Sequence, residues 1–261
     1  MAENQFRFDD GAAYERMMGT WSRSAGEIFL DWIAPKPGLR WVDVGCGNGA
    51  FSELIVDRCA PAQVEGIDPS EGQLAFARTR PAARLAHFRQ SDAMALPFAD
   101  NSFDVATMAL VIFFVPEPAK GVAEMARVVQ PGGIIATYAW DMFGGGYPLE
   151  VIQAELRAMN IAPLRPPSAE ASRMENLRAL WAGAGAGELE TRVITVQRTF
   201  ASFEEFWSIA MLSSVRTIIA KMAPDEVATL NARVRARLPP DSAGRITYAA
   251  HANAIKGRLI K

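Results

Sequence analysis

The sequence predicts an α/β protein built on a doubly wound, mostly parallel sheet with a Rossmann-like layout. Three observations predict it. Between Trp41 and Trp140, apolar strand-like runs alternate with amphipathic stretches, the pattern of a parallel sheet with helices on both faces. The first run ends in Gly45-Cys46-Gly47-Asn48-Gly49, three glycines at alternate positions ahead of a helix-like stretch. Acids close the second and third runs, Asp68 and Asp92. In an open parallel sheet the carboxyl ends of the strands form the ligand crevice, so Asp43, Asp68 and Asp92 are expected to face one cleft.

Taken in order, the first thirty-five residues carry Tyr14, Met17, Met18, Trp21, Ile28, Phe29 and Trp32 at near-helical spacing, and Pro35-Lys36-Pro37-Gly38 ends the run. One or two helices packed on or over the sheet are expected there. Strands are expected at Arg40–Val44, Gln63–Ile67, Arg84–Arg89, Phe103–Val111 and Gly133–Trp140, with helices at Ala50–Cys59, Ser70–Thr79 and Pro118–Val129 between them. The run from Val105 to Val115, interrupted only by Thr107, suits a strand buried on both faces. Pro131-Gly132-Gly133 stops the preceding helix.

After Trp140 the pattern changes. Asp141–Gly146 is glycine-rich, Pro148–Met159 reads as a helix, and residues 163–167 are a turn-rich link. Ser172 and Ser202, each with a glutamate three residues on (Glu175, Glu205), are capping boxes that open helices. The second helix would bury Phe206, Ile209, Leu212, Ile219 and Met222; Pro224 would start another with Val227, Leu230, Val234 and Leu238. Leu189–Phe200 and Arg245–Ile260 alternate as two further strands.

The bulk numbers narrow the function. A net charge of −2 over 261 residues draws the molecule to neither nucleic acid nor anionic lipid. No signal-peptide pattern opens the sequence, and the longest apolar run is too short to span a bilayer. Two cysteines, Cys46 and Cys59, make neither a disulfide framework nor a zinc pattern, so a cytoplasmic setting and no metal are expected.

The strand tips carry the chemistry. Bare glycines let a ligand press against main-chain N–H groups without Cβ clashes, and the helix N-terminus behind them adds unpaired donors. Asp68 is placed to accept from ribose hydroxyls, Asp92 from an adenine amine, and the Ala93 N–H to donate to a ring nitrogen. The set describes a site for an adenosine-containing ligand.

With these residues in place, VDVGCGNGAF, GIDPSEGQLAFAR, SDAMALPFADNSFDVATMALVIFF and EMARVVQPGG resemble the successive motifs of class I S-adenosylmethionine-dependent methyltransferases. They are most similar to the small-molecule branch that includes ubiquinone and menaquinone biosynthesis. The resemblance covers residues 12–140. It implies a seven-stranded sheet with the last strand antiparallel, and S-adenosylmethionine as cofactor. It also implies an N-terminal lid (1–37), a cofactor-binding core (38–147) and a C-terminal part (148–261). That last part holds strands at 189–200 and 245–260 around a helical substrate cover at 202–238.

By position, the resemblance implies that Gly45, Cys46 and Gly47 line the methionine part and that Asp43 holds its ammonium, directly or through water. Asp68 takes the ribose. Pro69 and Ser70 border the adenine, with Asp92 and Ala93 at its edge, Met94 against a ring face and Ala109 in backbone contact. Tyr14, Trp21 and Arg23 belong to a segment that closes over the cofactor carboxylate.

Two other readings stay open. Gly45-x-Gly47-x-x-Ala50 with Asp68 some twenty residues on also satisfies a dinucleotide fingerprint, hence an NAD(P)-binding oxidoreductase. A non-catalytic partner protein of this fold is the third. Candidates for a general base are Tyr14, His251 and Asp141, with a structural histidine the better expectation at 251. The methionines are core filler rather than a groove, and Arg233, Arg235 and Arg237 are a solvated helix face. The residues after the fourth strand, Ala109–Phe114, lack the Asn/Asp-Pro-Pro-aromatic run of amide and adenine methyltransferases. They also lack a Pro-Cys nucleophile. The acceptor is expected to be a small molecule offering an O, N or C nucleophile, and the aromatic composition of the expected cover suggests an apolar or aromatic one. Candidates to line its pocket are Phe113, Phe114, Trp140, Phe143, Tyr147, Phe206 and Trp207.

Overall fold

The computed structural model describes residues 15–260. Seven strands form one sheet: β1 (Arg40–Val44), β2 (Gln63–Asp68), β3 (Ala86–Gln90), β4 (Phe103–Ala109), β5 (Val129–Trp140), β6 (Ala186–Phe200) and β7 (Ile246–Leu259). Their order is β3-β2-β1-β4-β5-β7-β6. β7 runs antiparallel to both β5 and β6, and the remaining neighbours are parallel. The expected fold, with its antiparallel last strand, is borne out. The strand order reverses between β1 and β4, which puts a crevice at their carboxyl ends.

Helices cover both faces. A π-helical turn, Glu15–Gly19, leads into α1 (Thr20–Ile33), which packs on α2 (Ala50–Cys59). Phe29 of α1 and Phe51 of α2 meet Tyr138 of β5, with ring centroids 4.7 and 5.9 Å away. α3 (Glu71–Ala77) follows β2 and α4 (Pro118–Val128) follows β4. Asn253 of β7 pairs with Ala139, so its side chain leaves the face opposite Tyr138. There it donates to the Ser172 carbonyl at 3.0 Å, just ahead of α6 (Met174–Gly183). α5 (Glu150–Ala158) packs on α9 (Pro224–Arg237), where the buried Glu155 accepts from Arg237 at 2.6 Å.

Several expected boundaries move for local reasons. β4 stops at Ala109 rather than Val111 because Leu110 turns to φ +60, and Ile112–Phe114 form one 3-10 turn. The box at Ser172 does not form. Its hydroxyl donates to Ala169 O and accepts from Met142 N, and α6 starts without a side-chain cap. Ser202 does cap its helix, accepting from Glu205 N.

The single helix expected beyond Ser202 is two short ones, α7 (Phe203–Ala210) and α8 (Val215–Ile219). Ser213 breaks it: its hydroxyl donates to Ala210 O at 2.6 Å and accepts from Val215 N at 3.2 Å, offering the backbone an alternative to helix bonds. Leu212, expected inside, is 40% exposed. Among the described residues no helix is long and apolar enough to cross a membrane.

Candidate functional site

The turn after β1 is fastened to the end of β2. Gly45 N and Cys46 N both donate to Ile67 O, at 2.7 and 2.9 Å. The glycines serve different ends. A Cβ on Gly45 (φ +76) would lie 2.4 Å from Val111 Cγ1, so this glycine lets the β4 tip close against the turn. A Cβ on Gly47 (φ +52) would meet nothing nearer than Gln73 Oε1 at 4.0 Å. Gly47 keeps the cleft open.

Asp68 ties the turn to the start of α3. Its Oδ2 accepts from Gly47 N at 2.9 Å and its Oδ1 from Ser70 N at 2.8 Å. Burial pushes its pKa up, and these two N–H donors pull against that shift. Ser70 caps α3 by accepting from Gln73 N. Asp92 accepts from Met94 N at 2.8 Å, an Asx turn that folds the chain back beyond β3.

Around this frame lies a cavity of about 700 Å³. Gly45, Cys46, Gly47, Asp68, Pro69, Ser70, Asp92, Ala93 and Ala109 line it, and so does Arg23 from α1. Sequence reasoning missed Ser22, Asn48, Leu110, Val111, Tyr138 and Pro167, which also line it. Tyr138 carried no local signal: it sits inside a buried strand, packed against Phe29 of α1 and Phe51 of α2.

Other candidate residues stand elsewhere. Trp21 is 2% exposed and packs on Phe200 and Tyr248, both at 6.4 Å. It shares the stripe Trp21-Ala25-Phe29 that faces the sheet, while Ser22 and Arg23, one step round the helix, reach the cavity. Met94 packs at the edge of the core and is not among the lining residues. Tyr14 lies outside the described residues. His251 Nε2 is 3.8 Å from Asp141 Oδ2, but neither lines the cavity. Asp141 instead receives Phe143 N and Gly144 N, bracing its glycine loop. Of the expected pocket aromatics only Phe114 lines it; Phe113, Trp140 and Phe206 are core. Residues 202–238 contribute no lining side chain. The cover expected there packs instead over β6 and the outer part of the sheet, with Phe206 against Phe200 and Tyr248.

Asp43, expected to face the cleft with Asp68 and Asp92, is instead fully buried behind the turn and is not among the lining residues. Ser52 Oγ donates to its Oδ2 at 2.6 Å, and its Oδ1 has no partner. Burial, reinforced by the nearby Asp68 charge, pushes its pKa up to about 7. The folded chain therefore holds this proton more tightly than the unfolded chain. Its contribution to stability is present below about pH 4 and is lost as pH rises towards 7. Asp43→Asn should remove that slope and stabilise the ligand-free protein at pH 8 by on the order of 4 kcal/mol relative to wild type, with little gain at pH 4. Urea melts at the two pH values check this; equal shifts at both would contradict it.

Residues 42–137 match a family model described as a methyltransferase domain. A demethylmenaquinone methyltransferase of Renibacterium salmoninarum is 38% identical over 160 residues, which is 58% of this chain and 64% of that protein. A ubiquinone/menaquinone biosynthesis C-methyltransferase of Dinoroseobacter shibae is 37% identical over 121 residues, 45% of this chain and 48% of that protein. The chain spans about half the length of the curated relatives it matches. Phosphoethanolamine N-methyltransferase 2 of Haemonchus contortus, solved with S-adenosyl-L-methionine, superposes with a TM-score of 0.60 at 19% identity, over 99% of this chain and 59% of that one. The resemblance to class I methyltransferases drawn from the motifs holds, and the structural likeness extends it, as fold, beyond residue 140.

Proposed function

We propose that the protein is an S-adenosylmethionine-dependent methyltransferase acting on a small apolar or aromatic acceptor. The observation that carries this reading is the open side of Gly47 beside the Asp68 carboxylate at the cavity wall. Each Asp68 oxygen accepts one backbone bond and keeps further acceptor capacity for ribose hydroxyls. Asp43, buried behind the turn and outside the cavity lining, would reach an ammonium from its unpartnered Oδ1 only through a water. Gly45, Cys46 and Gly47 would hold the methionine part. Asp92, Ala93, Pro69 and Ser70 would hold the adenine, and Arg23 would approach the carboxylate.

When bound, S-adenosylmethionine supplies a methyl group already activated on a sulfonium. The protein's part is to orient and to exclude water. Val111, Phe114, Pro167 and Tyr138 add apolar and aromatic surface to the lining, fit for an apolar acceptor whose nucleophile must meet the methyl carbon in line. Such orientation is worth about 7–11 kcal/mol. A general base would add about 10²–10⁴-fold for an acceptor that loses a proton. His251 and Asp141 stand apart from the lining, so orientation is the larger contribution in this reading. Two buried free cysteines suit a reducing, cytoplasmic setting.

Titration of the purified chain with S-adenosylhomocysteine and with NADH tests the reading. Selective binding of the former is expected. Binding of NADH alone would favour the oxidoreductase, and binding of neither the non-catalytic partner. Transfer of labelled methyl from the donor to pools of small aromatic acceptors then identifies the substrate.

A further inference from the structure

Arg80 lies just past α3 and takes no part in the cavity lining. Its side chain is 13% exposed and every guanidinium nitrogen is engaged. Nε donates to the Asn48 carbonyl at 2.6 Å, Nη1 to Glu53 at 2.9 Å and Nη2 to Glu15 at 2.6 Å. The same Glu15 oxygen accepts from Asn48 Nδ2 at 2.9 Å. Two stretches far apart in sequence thus meet on one rigid fork: the glycine turn with the first turn of α2 that follows it, and the head of the π-helical turn that leads into α1. Charge-assisted bonds of this kind are about twice as strong as neutral ones, and the planar guanidinium is already shaped to make several at once.

The turn is held from both sides. Asp68 takes the Gly47 N–H on the cavity side, while Arg80 takes the Asn48 carbonyl one residue on. Glu15 is separated from Ser22 and Arg23, which line the cavity, by an unbroken helical stretch. Any motion of that stretch away from the cleft must first break the Glu15 contacts.

We propose that Arg80 is a positioning residue, a latch that fastens the segment from Glu15 to Arg23 over the cofactor cleft and sets how long the cofactor stays bound. This rests on the methyltransferase reading of the cavity. The latch contacts are present without ligand, so loosening them speeds entry as well as release: the segment must lift for ligand to pass in either direction.

The test is stopped-flow binding of S-adenosylhomocysteine to the full chain as wild type, Arg80→Lys, Glu15→Gln and the double variant. Lysine keeps the charge, but its three donors radiate from one nitrogen and do not reproduce the planar fork. Arg80→Lys should raise the dissociation rate about tenfold, with association unchanged or faster by up to a similar factor. Glu15→Gln, at a 42% exposed side chain that spares the fold, should raise it roughly threefold. The double variant should be no faster than Arg80→Lys alone, because both changes open one latch. Dissociation rates within twofold of wild type for both single variants, or slower association with dissociation unchanged, would overturn the latch. Tight wild-type binding with unchanged variants refutes this inference alone. Failure of wild type to bind refutes the methyltransferase reading, and the latch with it.

Discussion

Gly47→Val is expected to abolish S-adenosylhomocysteine binding while leaving the protein folded. The position of the new Cβ is open, with its nearest neighbour 4.0 Å away, so the folded chain accepts the side chain sterically. The backbone at φ +52 makes valine cost about 1–2 kcal/mol, a loss a chain of this size survives. The isopropyl group would then stand where the ligand must approach the main chain, and a loss of at least about a hundredfold in affinity, or ~3 kcal/mol, is expected. Calorimetry paired with a thermal melt checks both halves. Normal affinity in the variant would mean that this turn does not face the ligand. Gly45→Val serves as the contrast: its Cβ would collide with Val111 at 2.4 Å, so the fold should suffer before binding is asked about.

Asp68→Ala should weaken S-adenosylhomocysteine by about 2–4 kcal/mol, roughly 30- to 1000-fold, since charge-assisted bonds to two hydroxyls are lost together. The same change frees Gly47 N and Ser70 N, which now both donate to this carboxylate. It also removes a buried charge whose pKa burial has raised, and that relief offsets part of the lost bonding in the ligand-free protein. Asp68→Asn keeps an acceptor oxygen and should fall between wild type and alanine. Unchanged affinity in Asp68→Ala by calorimetry would remove the ribose assignment, whatever happened to the melting temperature.

The parts of this molecule that were legible in the sequence are those with chemistry at both ends. α2 runs from Ala50 to Cys59 as expected because Gly49 precedes it, and β1 stops where the glycines begin. The strand tips and their acids followed from the alternation of elements and from where parallel sheets keep their crevices. β4 was different. Its apolar run continues to Val115, and nothing in Leu110 announces a left-handed backbone, so the strand reads two residues too long. Trp21 and Arg23 differ only by where they sit on one helix, and their separation into core and cleft needed the angle at which α1 meets the sheet. Asp43 was visible as an acid inside a strand. That it lies behind the turn, fully buried and bonded to Ser52, depends on how α2 returns over β1. Ser213, which splits the helix beyond Ser202, is a competitor for backbone bonds whose effect periodicity alone does not register.

Leu110 leaves one more consequence. It is a bulky residue held in a left-handed conformation in the cavity lining, at a standing cost of roughly 1–2 kcal/mol. Glycine or asparagine there would relax the chain, so the penalty for altering this corner is already part of the native protein. On the proposed function, a change at this corner would be felt by the glycine turn as well, because Val111, the next residue, packs against Gly45.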